Sequence, residues 1–183
     1  MNRIAMVIGS WGSYNECNER ALGSGWLNFD DFDEWEEIEE ELIREGFKLN
    51  GIDEELFVQD IEGIPTSCQD WDNTHPQEIF ELIKESGVLD HECKYELMEA
   101  YCEVRSFDEW SDRVKQCGEN WDSDIAFYKG QDMYDVAYNL VNEFYDLDKM
   151  LGHLASYFDY NAFARDLKFD GYTETSNGVI EIR

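Results

Sequence analysis

The sequence predicts an α+β fold in three small units, and three observations lead to it. Strand patterns occur near both ends of the chain and none occurs in the middle. Apolar residues recur at i, i+3, i+4 and i+7 in several acidic segments, the mark of amphipathic helices. The last dozen residues, YTETSNGVIEI, alternate around Asn177-Gly178, a strong short-range hairpin signal.

The first unit, 1–64, opens with Ile4–Ile8, a β-branched run that reads as a strand. A polar loop holding Gly9, Gly12, Gly23 and Gly25 leads to a second strand at Trp26–Phe29. Asp30, Asp31 and Asp33 offer caps for a helix from Glu34 to Glu45, and Gly46 stops it. Trp35, Ile38 and Leu42 form its apolar stripe, which turns Glu36, Glu37, Glu40 and Glu41 outward. Leu56–Ile61 is the third strand, ended by Gly63 and Pro65.

The second unit, 65–118, reads as three helices. Thr74 and Gln77 form a capping box for a helix ending at Ser86, with Gly87 beyond it. Asp90 opens the next, lined on one face by Cys93, Leu97 and Tyr101. Ser106 and Glu109 cap the third, whose buried stripe is Phe107, Trp110, Val114 and Cys117. The third unit, 119–183, begins with a strand at Asp124–Tyr128. Asp132 caps a helix with Met133, Val136, Ala137, Leu140, Val141 and Phe144 as its apolar face. Short helices at Lys149–Ala155 and Tyr160–Leu167 precede the hairpin.

With 43% hydrophobic and 15% aromatic residues, the chain has the apolar surface for a core and is not of disordered type. Its charge is extreme: 43 Asp and Glu against 14 Lys and Arg, a net −29. The three units carry −13, −8 and −8, so the charge lies along folded segments rather than in an acidic tail. Such an imbalance excludes nucleic-acid binding, which rests on clustered Lys and Arg. It also costs stability through self-repulsion, beyond what solubility requires. The apolar start, MNRIAMVIGSWGS, is too short for a signal segment or a membrane span, and no other run comes closer. Five cysteines with no CxxC pair read as free thiols. A cytoplasmic protein without membrane contact is expected.

Chemical motifs fail one by one. Gly9-Ser-Trp-Gly12-Ser lacks the P-loop lysine and the third glycine of a dinucleotide site, and it is read as leading into a strand rather than a helix. Cys68 with His75, or His91 with Cys93, would need a depressed thiol pKa, which neighbouring carboxylates oppose. His91, Cys93, Cys102 and Cys117 match no zinc spacing, and Cys93 and Cys117 on apolar stripes read as buried structural thiols. Asp70-x-Asp72-x-Thr74 and Asn120-x-Asp122-x-Asp124 begin like EF-hand loops but have His75 and Ile125 in the glycine place. No catalytic residue, metal site or cofactor is predicted.

What remains is the collective arrangement of carboxylates. Duplex DNA carries one charge per ~1.7 Å of axis, so 29 charges correspond to roughly 49 Å of duplex and a dimer's to about 100 Å. Carboxylates at i, i+3 and i+4 stand about 5–6 Å apart at Cβ, comparable with phosphates. The acids expected to face a basic partner are Asp30, Asp31, Asp33, Glu36, Glu37, Glu40, Glu41, Glu78, Glu81, Glu85, Glu92, Glu96 and Glu99. An acidic adaptor for a basic, nucleoid-type protein, with no imitation of DNA, is the second reading.

Several segments carry a resemblance. Ile4–Ile8, Tyr14-Asn15 and Gly25-Trp26-Leu27 before an acidic helix, then Phe57-Val-Gln-Asp60-Ile-Glu62-Gly63, are similar to the opening of the ArdA antirestriction family. Asp132-Met-Tyr-Asp-Val-Ala137 matches a helix start seen in some members. The most specific stretch is Tyr157-Phe-Asp159-Tyr160-Asn-Ala162-Phe163-Ala-Arg165-Asp166-Leu167, which resembles the family's antirestriction motif. Gly171 and Asn177-Gly178-Val-Ile-Glu-Ile fit its terminal hairpin. The resemblance implies an elongated molecule, dimerised through its C-terminal part. It also implies binding to the methyltransferase and specificity subunits of Type I restriction–modification enzymes in place of DNA, without catalysis or cofactor. The resemblance further implies carriage on mobile genetic elements. Read from the residues alone, Tyr157, Tyr160, Phe163 and Leu167 are core, and Arg165 is an ion-pair partner of Asp159 and Asp166. The motif is thus expected to hold the fold or the dimer.

Overall fold

The computed structural model describes residues 3–65, 68 and 74–183. Its contacts divide the chain into two compact units, Met1–Trp121 and Asp122–Arg183. Each unit holds a three-stranded antiparallel sheet with helices, so the class is α+β.

The first unit is organised on β1 (Ala5–Ser10), whose six residues are all buried. It is the central strand, between β2 (Leu27–Asn28) and β3 (Leu56–Glu62) in the order β2-β1-β3. β2 covers only Ala5 and Met6. Beyond it the loop takes over: the Ser24 N–H donates to the Ile8 carbonyl and the Ile8 N–H to Ser24 Oγ, at 2.9 and 3.0 Å. The long glycine-containing loop is therefore laid along the strand and satisfies its backbone. β3 is the open edge of the sheet among the described residues, and no residue in it is fully buried. A bulge opposite Val7 and Ile8, exposed Asp60 and Glu62, and an Asp60 carboxylate accepting from the Ile61 N–H protect this edge from further pairing.

Helices α2 (Trp35–Arg44), α3 (Pro76–Ser86), α4 (Glu92–Val104) and α5 (Phe107–Cys117) complete the unit. Phe80 of α3 meets Phe29 and Trp35 with ring centroids 5.3 and 6.2 Å apart. Trp110, Trp121 and Tyr101 form a second aromatic cluster. The Trp121 indole donates to the Ser86 carbonyl at 3.1 Å, tying the end of α3 to that cluster.

In the second unit β4 (Ile125–Lys129) and β5 (Tyr172–Thr175) flank β6 (Gly178–Ile182). Helices α6 (Met133–Phe144) and α8 (Tyr160–Leu167) pack on the sheet. Met133, Val136, Ala137, Ala164, Leu167, Tyr172 and Val179 form the core. Between these helices lie α7 (Leu147–Leu151) and 3-10 turns over Gly152–Tyr157, where one longer helix was expected.

The structure corrects other local expectations. A six-residue helix, α1 (Trp11–Glu16), follows β1 directly, so the glycine loop does lead into a helix. Its sequence, WGSYNE, is a weak helix former; tertiary contacts impose the turn. Ser10 accepts from the Ser13 N–H, Trp11 stacks on Phe57, and the Ser13 hydroxyl donates to buried Asp53. α2 is capped by Glu34 and Glu37, whose carboxylate accepts from the Asp33 N–H at 2.6 Å, rather than by Asp30, Asp31 or Asp33. Asp31 instead accepts from Asn28 Nδ2 at 2.7 Å. His75, not Thr74, caps α3. Cys93 and Cys117 are exposed, and so is Phe144. Each stands in the first or last turn of its helix, where the apolar stripe outruns the elements that cover it. The buried thiols are Cys68 and Cys102. The two-residue turn of the last hairpin is Ser176-Asn177, because Thr175 pairs with Gly178. Asp70 and Asp72 lie outside the described residues.

Asp53 organises the first unit from within. Burial works to raise its pKa, yet donors from the Ser13 hydroxyl, the Lys48 N–H (2.8 Å) and Ser10 hold it below the ordinary aspartate value. Glu181 in β6 behaves alike: burial is outweighed by Arg183, Tyr172 and Tyr128. A carboxylate with a depressed folded pKa stabilises above its unfolded pKa and loses that contribution as pH falls through the folded value. Asp53→Asn should therefore cost about 1–3 kcal/mol at neutral pH. Between pH 5 and 2 the gap from wild type should close, and thermal unfolding across that range measures it.

Candidate functional site

The acidic surface is built on the outer faces of the helices that form the core. Burial of Trp35, Ile38 and Leu42 fixes the rotation of α2 and leaves Glu36, Glu37 and Glu40 exposed, with Glu41 half-buried. Asp30, Asp31 and Asp33 stand exposed on the turn that enters it. Ile79, Phe80, Leu82 and Ile83 fix α3 and turn Glu81 and Glu85 outward, with Glu78 half-buried. On α4, Glu92 is exposed, whereas Glu96 and Glu99 are half-buried and internally engaged.

Several of these acids are partly neutralised. Glu78 takes the Lys115 ammonium at 2.5 Å, which raises that lysine's pKa. Glu41 pairs with Arg44, and Asp31 with Arg3 at 3.7 Å. Glu81 accepts from Gln77 Nε2 at 2.8 Å. Asp30, Asp33, Glu36, Glu40, Glu85 and Glu92 have no ion pair among the described residues.

Several of the remaining cations are placed on backbone carbonyls. Lys84 donates to the carbonyls of Phe29 and Phe32, at 3.3 and 2.6 Å, and lies 5.7 Å from the Phe80 ring centre. Arg113 donates to the Trp121 carbonyl at 2.5 Å and covers Tyr101 at 5.9 Å. Arg20 donates to the Glu45 carbonyl at 2.7 Å, and Lys94 to that of Glu119 at 2.5 Å. These side chains close turns, and Lys94 also meets the Glu119 carboxylate at 3.5 Å. The outer field is left negative. Beside α2 the surface dips into an open concavity of about 520 Å³, walled by Trp26, Asp31, Glu37, Glu40, Glu41 and Glu45 among others. Chemically, such a surface attracts and holds basic groups.

No group of three or more His, Cys, Asp and Glu is arranged to hold a metal ion among the described residues. The Ser13–Asp53 pair has no histidine beside it. His75 caps α3, His91 faces Glu119 at 3.6 Å, and His153 lies in the turns after α7.

The stretch Tyr157–Leu167, whose sequence resembles a family motif, spans the end of those turns and α8. Asp159 is the N-cap, accepting from the Ala162 N–H at 3.0 Å. Leu167 is buried, and Tyr160, Ala162 and Phe163 are half-buried. Tyr160 meets Tyr138 and Phe158 at 5.1 and 4.9 Å. Tyr157, expected in the core, is 80% exposed, because it precedes α8 and does not share its helical face. Arg165 and Asp166 are exposed, and Arg165 forms no ion pair among the described residues. The Asp159 carboxylate is occupied as a cap, and Asp166 is an i+1 neighbour that points elsewhere on the helix. The apolar exposure of this unit was also missed: Tyr134, Tyr138, Phe144, Tyr145 and Met150 are each at least 43% exposed. The helical pattern assigned Phe144 to a face but could not say whether anything covered it, and it gave no face to the other four.

Among the described residues no helix is long and apolar enough to cross a membrane. Residues 6–181 match the family model described as antirestriction protein (ArdA). None of the curated proteins compared with the chain matches it.

The use of cations on backbone carbonyls makes a direct prediction. Lys84→Met removes the ammonium that donates to the Phe29 and Phe32 carbonyls and should cost about 1.5–3 kcal/mol. Glu36→Gln and Glu40→Gln should change stability by no more than about 0.5 kcal/mol, with a bias toward stabilisation. Denaturant titration of the three variants checks both.

Proposed function

This chain belongs to the ArdA family of antirestriction proteins, and from that premise we propose that it acts as a DNA mimic on Type I restriction–modification enzymes. In this reading its carboxylates enter the basic groove that the enzyme uses for duplex DNA, against the methyltransferase and specificity subunits, and DNA is excluded competitively. The observation that carries the reading is the excess of acids on the outer helix faces, six of the expected ones without an ion pair among the described residues, while Lys84, Arg113 and Arg20 donate to backbone carbonyls. A surface shaped only for solubility would intersperse the two signs. The work is done by binding, in the cytoplasm, with no cofactor.

Homodimerisation is proposed through the second unit. Phe144, Met150 and Tyr157 of this unit are exposed apolar side chains, which a second copy would bury. The antirestriction motif then serves the fold and the dimer rather than the enzyme.

Many weak charges acting together make specific demands. Each single change, Glu36→Ala, Glu37→Ala or Glu40→Ala, should alter inhibition of a purified Type I enzyme by less than about twofold, while the combined set should weaken it strongly. Raising salt from 50 to 300 mM should weaken inhibition steeply. A large loss from one glutamate, or no effect on DNA methylation and cleavage, overturns the mimicry; the latter result would favour the acidic adaptor.

The dimer is tested separately. Phe144→Asp with Tyr157→Asp should give a monomer by light scattering, with secondary structure retained. Arg165→Ala should leave both the dimer and inhibition intact. Loss of inhibition in a folded Arg165→Ala dimer would assign the motif to the enzyme interface.

A further inference from the structure

We infer that the exposed ring cluster Trp11–Tyr14–Phe57 in the first unit is a docking site for arginine side chains of a basic protein partner; the inference deepens the function proposed above and rests on it for the partner's identity. The rings form a built platform. Trp11 stacks on Phe57 with centroids 4.2 Å apart at 25°, and Tyr14 stands edge-on to both at 5.9 and 6.3 Å. Phe57 lies flat over Gly9, its cross-strand partner: a Cβ at Gly9 would come 2.5 Å from the ring. The Trp11 N–H donates to the Glu55 carbonyl at 3.0 Å, fixing the helix start that carries the rings. One indole face is thus committed to Phe57, yet Trp11 remains 47% and Tyr14 54% exposed.

Rigid aromatic faces left to water in a chain with a full core mark an anchor rather than leftover packing. The charge around them selects the occupant. Glu16 ends the helix that bears Trp11 and Tyr14, and Glu54 and Glu55 immediately precede the strand that bears Phe57; all three are exposed. The nearby Arg20 guanidinium is turned onto the Glu45 carbonyl and does not cover the rings. Exposed carboxylates on or next to the elements that carry an indole face suit a planar, weakly hydrated cation, which can stack and pair at once. Arginine meets both demands and lysine's compact ammonium only one.

The probes are dye-labelled hexa-arginine and hexa-lysine peptides of equal charge, titrated against the full chain at 150 mM salt by fluorescence anisotropy. Wild type should bind the arginine peptide about tenfold tighter than the lysine peptide. Trp11→Leu with Tyr14→Leu keeps apolar packing on Phe57 and removes the ring faces; it should abolish that preference while leaving the salt dependence unchanged. Trp11→Phe, the milder change should the double variant fail to fold, should reduce the preference partly. Equal affinity for both peptides in wild type, or a preference that survives in a folded double variant, overturns the site. Inhibition of a Type I enzyme is measured in parallel. A preference lost in the variant while wild type fails to inhibit would leave the ring site standing and remove its assigned partner.

Discussion

Fourteen cations must serve a chain with forty-three acids, and where those cations sit governs everything else in the molecule. Some of them close the fold from inside, while Arg3, Arg44, Lys115 and others pair with surface carboxylates. Lys84 binds two carbonyls at the turn into α2, Arg113 binds the carbonyl of buried Trp121, and Arg20 binds the end of α2. A cation on an unsatisfied carbonyl makes a charge-assisted hydrogen bond and removes a desolvation cost at the same time. The same ammonium on an exposed glutamate would contribute little, since surface pairs are worth about 0–1 kcal/mol. Stability and a negative outer field are reached by one choice.

The acids set an opposing demand. Like charges at i and i+4 on a helix cost about 0.2–0.5 kcal/mol per pair. The six such pairs within α2, α3, α4 and α5 would amount to about 1–3 kcal/mol, against the roughly 5–15 kcal/mol that holds a domain together. The core has to offset that. The burial of all six β1 residues and the Trp110–Trp121–Tyr101 and Phe29–Phe80–Trp35 clusters are how it does so. Where carboxylates are buried, as at Asp53 and Glu181, donors surround them and they serve as structural acceptors. The two populations of acids therefore have different physics: a few are fixed by hydrogen bonds, and many are left exposed to water.

Legibility in the sequence followed the range of the interaction that decides each feature. The stripes of α2, α5 and α6 were readable, short of Cys117 and Phe144 at their ends, because burial repeats every three to four residues, and the hairpin because its turn chemistry is local. α1 was not readable: Trp11, Ser13 and Asp53 are brought together by contacts some forty residues apart. The caps were off by one to four residues because Glu34 and His75 competed with residues better suited by type. The acidic face was visible as composition, yet which acids stay unpaired depends on Lys115 reaching Glu78 and Arg3 reaching Asp31. Exposure of Tyr157 and Phe144 was hidden for the same reason, since a pattern gives a face but not its cover.

Charge alone sets a limit on what such a surface can discriminate. Coulomb attraction between exposed groups falls off within a Debye length of about 8 Å at physiological salt and is indifferent to the chemistry of the cation. A surface that relied on it would hold any basic protein, histone-like or enzymatic, with similar strength. Discrimination needs short-range contacts whose value depends on shape and on the identity of the group. Flat rings fixed by Phe57 and Gly9 offer that kind of contact, because stacking is lost within an ångström or two of misplacement. An acidic field that gathers basic partners, with aromatic points that sort among them, reconciles broad attraction with a defined target.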